Sequence, residues 1–192
     1  MRKLLWVLLA FLTLGLSGCG YNDFQTKDEQ VKAAWSEVLN QYKRRADLIP
    51  NLVATVQGYA AQEKDVLIGV TNARAKATSV QLPPDALDNP EAVKKFQDAQ
   101  SQLSGALGRL LVVSENYPQL KSDQNFRDLQ AQLEGTENRI SVERRKFNET
   151  VQDYNSYIRS FPRNFIAGWT GFEKKGYFEA DAASQKAPSV QF

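Results

Sequence analysis

Cys19 is the only cysteine in this 192-residue chain, and histidine is absent altogether. Its thiol is the strongest nucleophile that the sequence offers, whereas the commonest general base and metal ligand is missing. A single cysteine cannot form a disulfide within the chain. Only carboxylates, lysines and hydroxyl groups remain for other chemistry, so the composition argues against most classes of enzyme. It predicts no catalytic residue, no cofactor and no metal site.

The residues before Cys19 have the layout of a secretory signal peptide. Arg2 and Lys3 give a positive start, residues 4–16 are almost wholly apolar, and small residues precede the cysteine. The apolar stretch is shorter than the roughly 20 residues that a membrane-spanning helix needs. A spanning anchor is therefore the weaker interpretation of this segment.

Leu16, Ser17, Gly18 and Cys19 resemble a bacterial lipobox. In such signals the cysteine thiol receives a diacylglycerol group, the chain is cleaved just before the cysteine, and the new amino terminus is acylated. Several acyl chains, at roughly 0.8 kcal/mol per buried CH2, anchor a protein stably. The alternative is an ordinary signal peptide in which the cysteine occurs by chance.

The residues after the cysteine, Gly20 and Tyr21, are similar to the sorting signal of outer-membrane lipoproteins. The aspartate that retains lipoproteins at the inner membrane is missing directly after Cys19. This inference applies only to a source with two membranes. We therefore expect residues 1–18 to be removed, residues 19–21 to form a lipidated tether, and the chain to face the periplasm from the outer membrane of such a source.

Charge is balanced in the part of the chain that would remain after cleavage. The whole sequence has 24 basic and 22 acidic residues, and removal of Arg2 and Lys3 leaves 22 of each. Nucleic-acid binding proteins show a basic excess on one face, and this sequence gives no sign of one. The predicted partners are the membrane, through the amino-terminal lipid, and an envelope protein, with no nucleic acid.

Apolar residues from Tyr21 to Phe161 recur at alternating spacings of three and four, which is typical of helices that bury one stripe. We predict helices over 22–46, 48–79, 90–116 and 122–160, the longest of them about 58 Å long. The fold class is thus all-α, as an elongated antiparallel four-helix bundle with an aromatic-rich carboxyl-terminal segment. A coiled coil between chains is the alternative, but short joints favour helices that fold back within one chain.

Helix breakers place the predicted joints. Pro50 suits the first turn of a helix, so we expect a tight turn at 45–48. Asn89 and Pro90 have the features of a helix start, Pro118 of a helix end, and Ser122 or Asp123 of the next cap.

The composition changes in the segment 161–178, which contains six aromatic residues and three glycines. It either folds back and caps the bundle or presents a patch to a partner or the bilayer. The candidates for partner binding are Phe165, Trp169, Phe172, Tyr177 and Phe178. Residues 22–178 make the helical domain, and we expect residues 179–192 to be a disordered tail.

Several stretches resemble the LemA family, in order along nearly the whole mature chain. They are NQYKRRADLIPNLV (40–53), the run from Val56 through Tyr59 to Glu63, ENYPQLK (115–121), TENRI (136–140), YN (154–155), FPRN (161–164) and FEKKGYFE (172–179). The resemblance implies an antiparallel four-helix bundle tethered to a membrane at its amino end. It implies no agreed enzymatic activity, cofactor or catalytic residue. Many members begin with a transmembrane helix, whereas this chain has a lipobox, so membrane topology is not carried over.

Charged residues on the helices suggest three further hypotheses. Glu63 and Arg144 fall on or beside apolar stripes and could pair across the core, or a polar layer could fix the helix register. The basic runs 43–45 and 144–146 could meet lipid headgroups, although solvated faces are the default. Glu115 and Glu137 would be the paired carboxylates of an envelope hydrolase.

The function that the sequence favours is a lipid-anchored, non-catalytic scaffold or adaptor in the cell envelope. The hydrolase is the first alternative, but no nucleophile elbow, metal motif or phosphate-binding loop supports it. A purely structural spacer is the second alternative, and it differs from an adaptor in having no partner.

Overall fold

The computed structural model describes the backbone of residues 2–179 and the side chains of residues 21–179. This part of the chain is all-helical and contains no strand, which confirms the predicted class. The elements are α1 (Arg2–Tyr59), α2 (Lys64–Ser79), a 3-10 helix (Pro84–Ala86), α3 (Pro90–Ser114), α4 (Pro118–Ser122), α5 (Gln124–Arg159) and α6 (Arg163–Thr170). The side chains of the lipobox, Cys19 included, and the tail beyond residue 179 lie outside the described residues.

Two pairs of helices make most of the interhelical contacts, α1 with α5 and α2 with α3. As the residue number increases along α1, the number of its partner on or next to α5 decreases. Lys27 contacts Asp153, Arg45 contacts Glu137, and Tyr59 contacts Asp123. Among the helices of the described residues, none carries an apolar stretch long enough to cross a membrane.

Apolar side chains gather into two cores along the length of α1. The proximal core lies nearer to Tyr21, and its buried members are Phe24, Val31, Trp35, Val38, Tyr42, Leu82, Leu87, Val93, Phe96, Ile140, Phe147, Val151, Tyr154, Ile158, Ala167 and Phe178. The distal core consists of Ile49, Leu52, Val56, Ala60, Leu67, Val70, Ala77, Leu103, Ala106, Leu107, Leu110, Leu120, Phe126 and Leu133. Burial of each large apolar side chain contributes about 1.5–3 kcal/mol, so both cores stabilise the fold.

The prediction of a turn at 45–48 was wrong. α1 continues to Tyr59 with Pro50 inside it, and the joint to α2 lies at residues 60–63. Proline lacks the N–H that would bond to the carbonyl four residues earlier, here that of Ala46. The Arg74 Nε donates to this carbonyl oxygen at 2.7 Å. A side chain of α2 thus replaces the missing donor, which helps α1 to tolerate its proline.

The predicted caps of α3 and α5 are confirmed. The Asn89 side chain accepts hydrogen bonds from the N–H groups of Glu91 and Ala92, with Pro90 at the first helical position. The Asp123 carboxylate accepts from the N–H of Phe126 at 2.9 Å. These signals are local, since the capping residue and its donors lie within three positions of one another.

Candidate functional site

Arg45 is the centre of a buried polar network that joins four helices. Its side chain is almost fully buried, and Nη1 donates to Glu137 Oε1 at 2.8 Å and to Ser104 Oγ at 2.9 Å. Nη2 donates to Gln100 Oε1 at 2.6 Å, and the Gln100 Nε2 donates to the Ala77 carbonyl at 3.2 Å. A buried guanidinium needs this degree of pairing, because an unpaired charge in the interior is costly.

The network lies between the two apolar cores and forms one polar layer. On α1, Arg45 stands between Tyr42 of the proximal core and Ile49 of the distal core. The order repeats as Phe96, Gln100 and Leu103 on α3, and as Ile140, Glu137 and Leu133 on α5. Because a shifted helix would leave the guanidinium without its acceptors, the layer holds the helices in one register.

A small cavity of about 60 Å3 opens beside this layer. Its polar lining includes Arg45, Arg144, Glu137 and Ser104, but Glu137 is bonded to the Arg45 guanidinium and the Ser104 hydroxyl donates to the Gln100 carbonyl. The two groups that could serve as base and nucleophile thus have structural hydrogen bonds instead.

The structure does not bring the two suspected hydrolase acids together. Glu115 follows the end of α3 and pairs with Lys121, whereas Glu137 pairs with Arg45 in the middle of α5. The guanidinium that binds Glu137 also donates to Ser104 on α3. Glu115 lies eleven residues further along the chain than Ser104, which is about 16 Å at the helical rise, so it is far from Glu137. Within the described residues, no acidic, histidine or cysteine side chains cluster closely enough to hold a metal ion.

The proposed contact between Glu63 and Arg144 was wrong. Glu63 Oε1 accepts a hydrogen bond from the Tyr117 hydroxyl at 2.7 Å, and this bond raises the pKa of Tyr117. Arg144 lies over the Phe178 ring at 4.9 Å and donates to the Glu179 carbonyl at 2.8 Å. Glu63 falls in the joint between α1 and α2, because the helix break lies there and not at 45–48. A buried Arg–Glu layer does exist, but Arg45 and Glu137 form it.

The basic run 43–45 divides between surface and interior. Lys43 and Arg44 are exposed, whereas Arg45 is buried. Sequence reasoning missed Arg45 because three consecutive cations resemble a solvated face. The available signal was its position three residues after Tyr42 and four before Ile49, on the apolar stripe of the helix.

Two asparagines on α5 fasten the last described residues to the bundle. The Asn155 side chain accepts from the Lys175 N–H and donates to its carbonyl, both at 3.0 Å. Asn148 does the same with Phe178, at 2.9 Å in each direction. The Gly176 N–H donates to the Leu87 carbonyl at 2.7 Å. We call residues 172–179 with these bonds the clasp.

The aromatic residues of 161–178 divide into two groups. Phe178 is buried in the proximal core against Trp35 and Phe147, and Phe172 packs at its edge. The side chains of Phe161, Phe165, Trp169 and Tyr177 are exposed by 82%, 68%, 88% and 44%. Of the five candidates for partner binding, Phe178 is thus held inside, and Phe165 and Trp169 are the most accessible.

A family model described as the LemA family matches residues 34–192. The chain belongs to the LemA family. This confirms the family that the sequence resembles, and the match covers every described element from within α1 onward.

The chain is similar to three curated proteins from different organisms. Magnetosome protein MamQ of Magnetospirillum gryphiswaldense is 29% identical in an alignment of 192 positions, and the match covers 92% of this chain and 70% of the relative. Magnetosome protein MamQ 2 of Paramagnetospirillum magneticum is 28% identical in an alignment of 179 positions, and the match covers 85% of this chain and 66% of the relative. Protein LemA of Metamycoplasma hominis is 23% identical over 170 residues, with 86% and 74% covered. Each of these relatives is longer than the segment that matches here.

Proposed function

We propose that this LemA-family chain is a lipid-anchored protein of the cell envelope. The observation that carries the proposal is the run Leu16-Ser17-Gly18-Cys19 at the end of a basic and then apolar leader. The Cys19 thiol loses its proton and displaces the phosphate-bearing headgroup of a phospholipid, which forms a thioether to the diacylglyceryl group. Water then hydrolyses the Gly18–Cys19 peptide bond, and the new amino group takes an acyl chain from a second phospholipid, which leaves as the lysophospholipid. In a source with two membranes, Gly20 and Tyr21 direct the product to the periplasmic face of the outer membrane.

The anchored domain acts as a non-catalytic scaffold or adaptor. Its helices form an elongated antiparallel four-helix bundle, with α1 and α5 as one pair and α2 and α3 as the other. The opposed order of contacts along α1 and α5 supports this arrangement. The suspected acids, Glu115 and Glu137, are engaged in separate ion pairs, which gives the hydrolase alternative no support.

Binding of an envelope protein occurs on exposed helix faces, and the tether raises the effective concentration of the two proteins. Ile68 on α2 and Val112 on α3 are 56% and 70% exposed. A spacer would leave these faces without a partner, so a recoverable partner distinguishes an adaptor from a spacer.

The test compares the native chain with Cys19→Ala and with Ser17→Ala, a matched control that keeps a small residue before the cysteine. Cells are labelled with a fatty acid, intact envelopes are crosslinked, and the chain is recovered. We expect the native chain and Ser17→Ala to carry the label and a crosslinked partner, and Cys19→Ala to lose the label and leave the membrane fraction. Undiminished labelling of Cys19→Ala would contradict the lipid anchor, and no recoverable partner would favour the spacer.

A further inference from the structure

α6 has an aromatic edge that the core does not use. Phe165 and Trp169 lie four residues apart on α6, and the ring of Phe161, which precedes the helix, meets that of Phe165 edge to face at 6.0 Å. The opposite side of the helix, with Ile166 and Ala167, packs against the proximal core. Single exposed apolar residues are common on protein surfaces, but three large exposed rings within nine residues are typical of a contact surface.

The aromatic edge lies at the amino-terminal end of the described side chains. After Gly171 ends α6 in the left-handed conformation, Phe172 turns back onto α1. Its ring lies 6.2 Å from that of Tyr21 and stacks on that of Phe24 at 5.1 Å. Tyr21 is only two residues after Cys19, so an anchor on Cys19 puts the bilayer surface at this same end of the molecule.

The segment that carries the aromatic edge has more cations than acids, although Lys175 is paired with Asp28 of α1 at 3.3 Å and the nearby Asp23 accepts a hydrogen bond from the Tyr157 hydroxyl. Residues 159–175 contain Arg159, Arg163, Lys174 and Lys175 but a single acid, Glu173. The first three of these cations are exposed, and Arg163 lies over the Tyr157 ring at 4.3 Å. Aromatic rings flanked by cations suit the boundary between acyl chains and anionic headgroups.

We infer that α6 and the residue Phe161 just before it form a second membrane contact, in which Phe161, Phe165 and Trp169 enter the headgroup region of the bilayer that holds the amino terminus. The inference rests on the proposed tether, because the tether brings this end of the molecule to the membrane. A lipid surface fits better than a protein partner, since the anchor holds α6 beside lipid at all times. Two separate contacts fix the orientation of the bundle relative to the bilayer, whereas attachment at one residue alone does not.

The experiment places tryptophan relative to the acyl chains. The mature full chain, purified from membranes, is reconstituted in vesicles of phosphatidylethanolamine and phosphatidylglycerol, with or without brominated acyl chains that quench indole fluorescence. Trp169→Phe keeps an aromatic ring at the edge, so the difference between its quenching and that of the native chain reports residue 169 alone. The matched control adds Val112→Trp to Trp169→Phe, which moves the reporter to an exposed position beside the distal core.

We expect brominated chains to quench Trp169, with the strongest effect from bromines about 5–10 Å below the headgroup boundary, and to spare the relocated tryptophan of the control. Vesicle flotation separates the two hypotheses. A chain that floats while Trp169 is quenched only by aqueous acrylamide retains its anchor but refutes the contact of α6. A chain that does not float refutes both. Crosslinking of residue 169 in native envelopes to a protein and not to lipid would also overturn the inference.

Discussion

At the scale of single residues, Arg45 shows how a charge can specify a fold. Its guanidinium is buried between two apolar cores and has acceptors on α3 and α5. Lys43 and Arg44, its neighbours in sequence, are exposed. The contrast follows from the helical period, because only one residue in three or four faces the interior.

Replacing Arg45 tests the polar layer. Arg45→Met should lower the free energy of unfolding by about 2–4 kcal/mol, because Gln100 and Ser104 lose their buried partner. Arg44→Met, the matched control on the exposed face, should change it by less than about 0.5 kcal/mol. Urea unfolding followed by circular dichroism measures both. Equal losses in the two variants would show that the layer has no special part in stability.

Arg74 and Pro50 should be energetically coupled. Arg74→Met removes the donor to the Ala46 carbonyl and should cost about 1 kcal/mol. With Pro50→Ala in the background, the alanine N–H can bond to that carbonyl, so the same replacement should cost less. A double-mutant cycle by urea unfolding measures the coupling. Additive effects would mean that Arg74 does not relieve the proline.

At the scale of elements, the caps could be predicted from sequence but the first joint could not. Asn89 and Asp123 act on donors within three residues, so the local pattern contains the whole interaction. The local sequence around Pro50 favours a helix start at that residue. In the structure, however, Arg74, 24 residues further along the chain, donates to the Ala46 carbonyl that the proline leaves without a donor. A single sequence does not display that contact. The clasp was hidden for the same reason, since Asn155 and Lys175 are 20 residues apart in sequence and meet only in the folded structure.

The Asp123 cap should make stability depend on pH. Hydrogen bonds from the Phe126 N–H and the Tyr59 hydroxyl hold the pKa of Asp123 below its usual value. A lowered folded-state pKa contributes stability that is present above the unfolded-state pKa and is lost as pH falls through the folded-state pKa. Asp123→Asn keeps an acceptor for the cap but cannot titrate. Urea unfolding from pH 7 to pH 2 should show the native advantage vanish in acid, and a constant difference would refute this explanation.

The clasp should control access to the last described residues. Asn155→Ala removes both hydrogen bonds to Lys175, so trypsin should cut at Lys174 or Lys175 sooner than in the native chain. Gln152→Ala changes an exposed residue of the same helix and serves as the control. Limited proteolysis with mass spectrometry gives the sites and rates. Cleavage at the native rate in Asn155→Ala would show that burial of Phe178 alone holds the segment.

At the scale of the whole molecule, the two ends of the helical domain differ chemically. The end near Tyr21 carries exposed aromatic rings and the exposed cations Arg159, Arg163 and Lys174, and Tyr21 is two residues after Cys19. The other end holds the distal core and exposes Val112. Family membership follows from the sequence match, whereas the anchor and the adaptor role are inferences from residues.

The mass of the mature amino terminus tests the central claim most directly. The chain is expressed with its own leader, purified from envelopes in detergent, digested, and its first peptide measured by mass spectrometry. We predict that this peptide begins at Cys19 and carries a diacylglyceryl group on sulfur and an acyl group on nitrogen. A first peptide that retains residues 1–18, or that begins elsewhere with the Cys19 thiol unmodified, would contradict the lipid anchor.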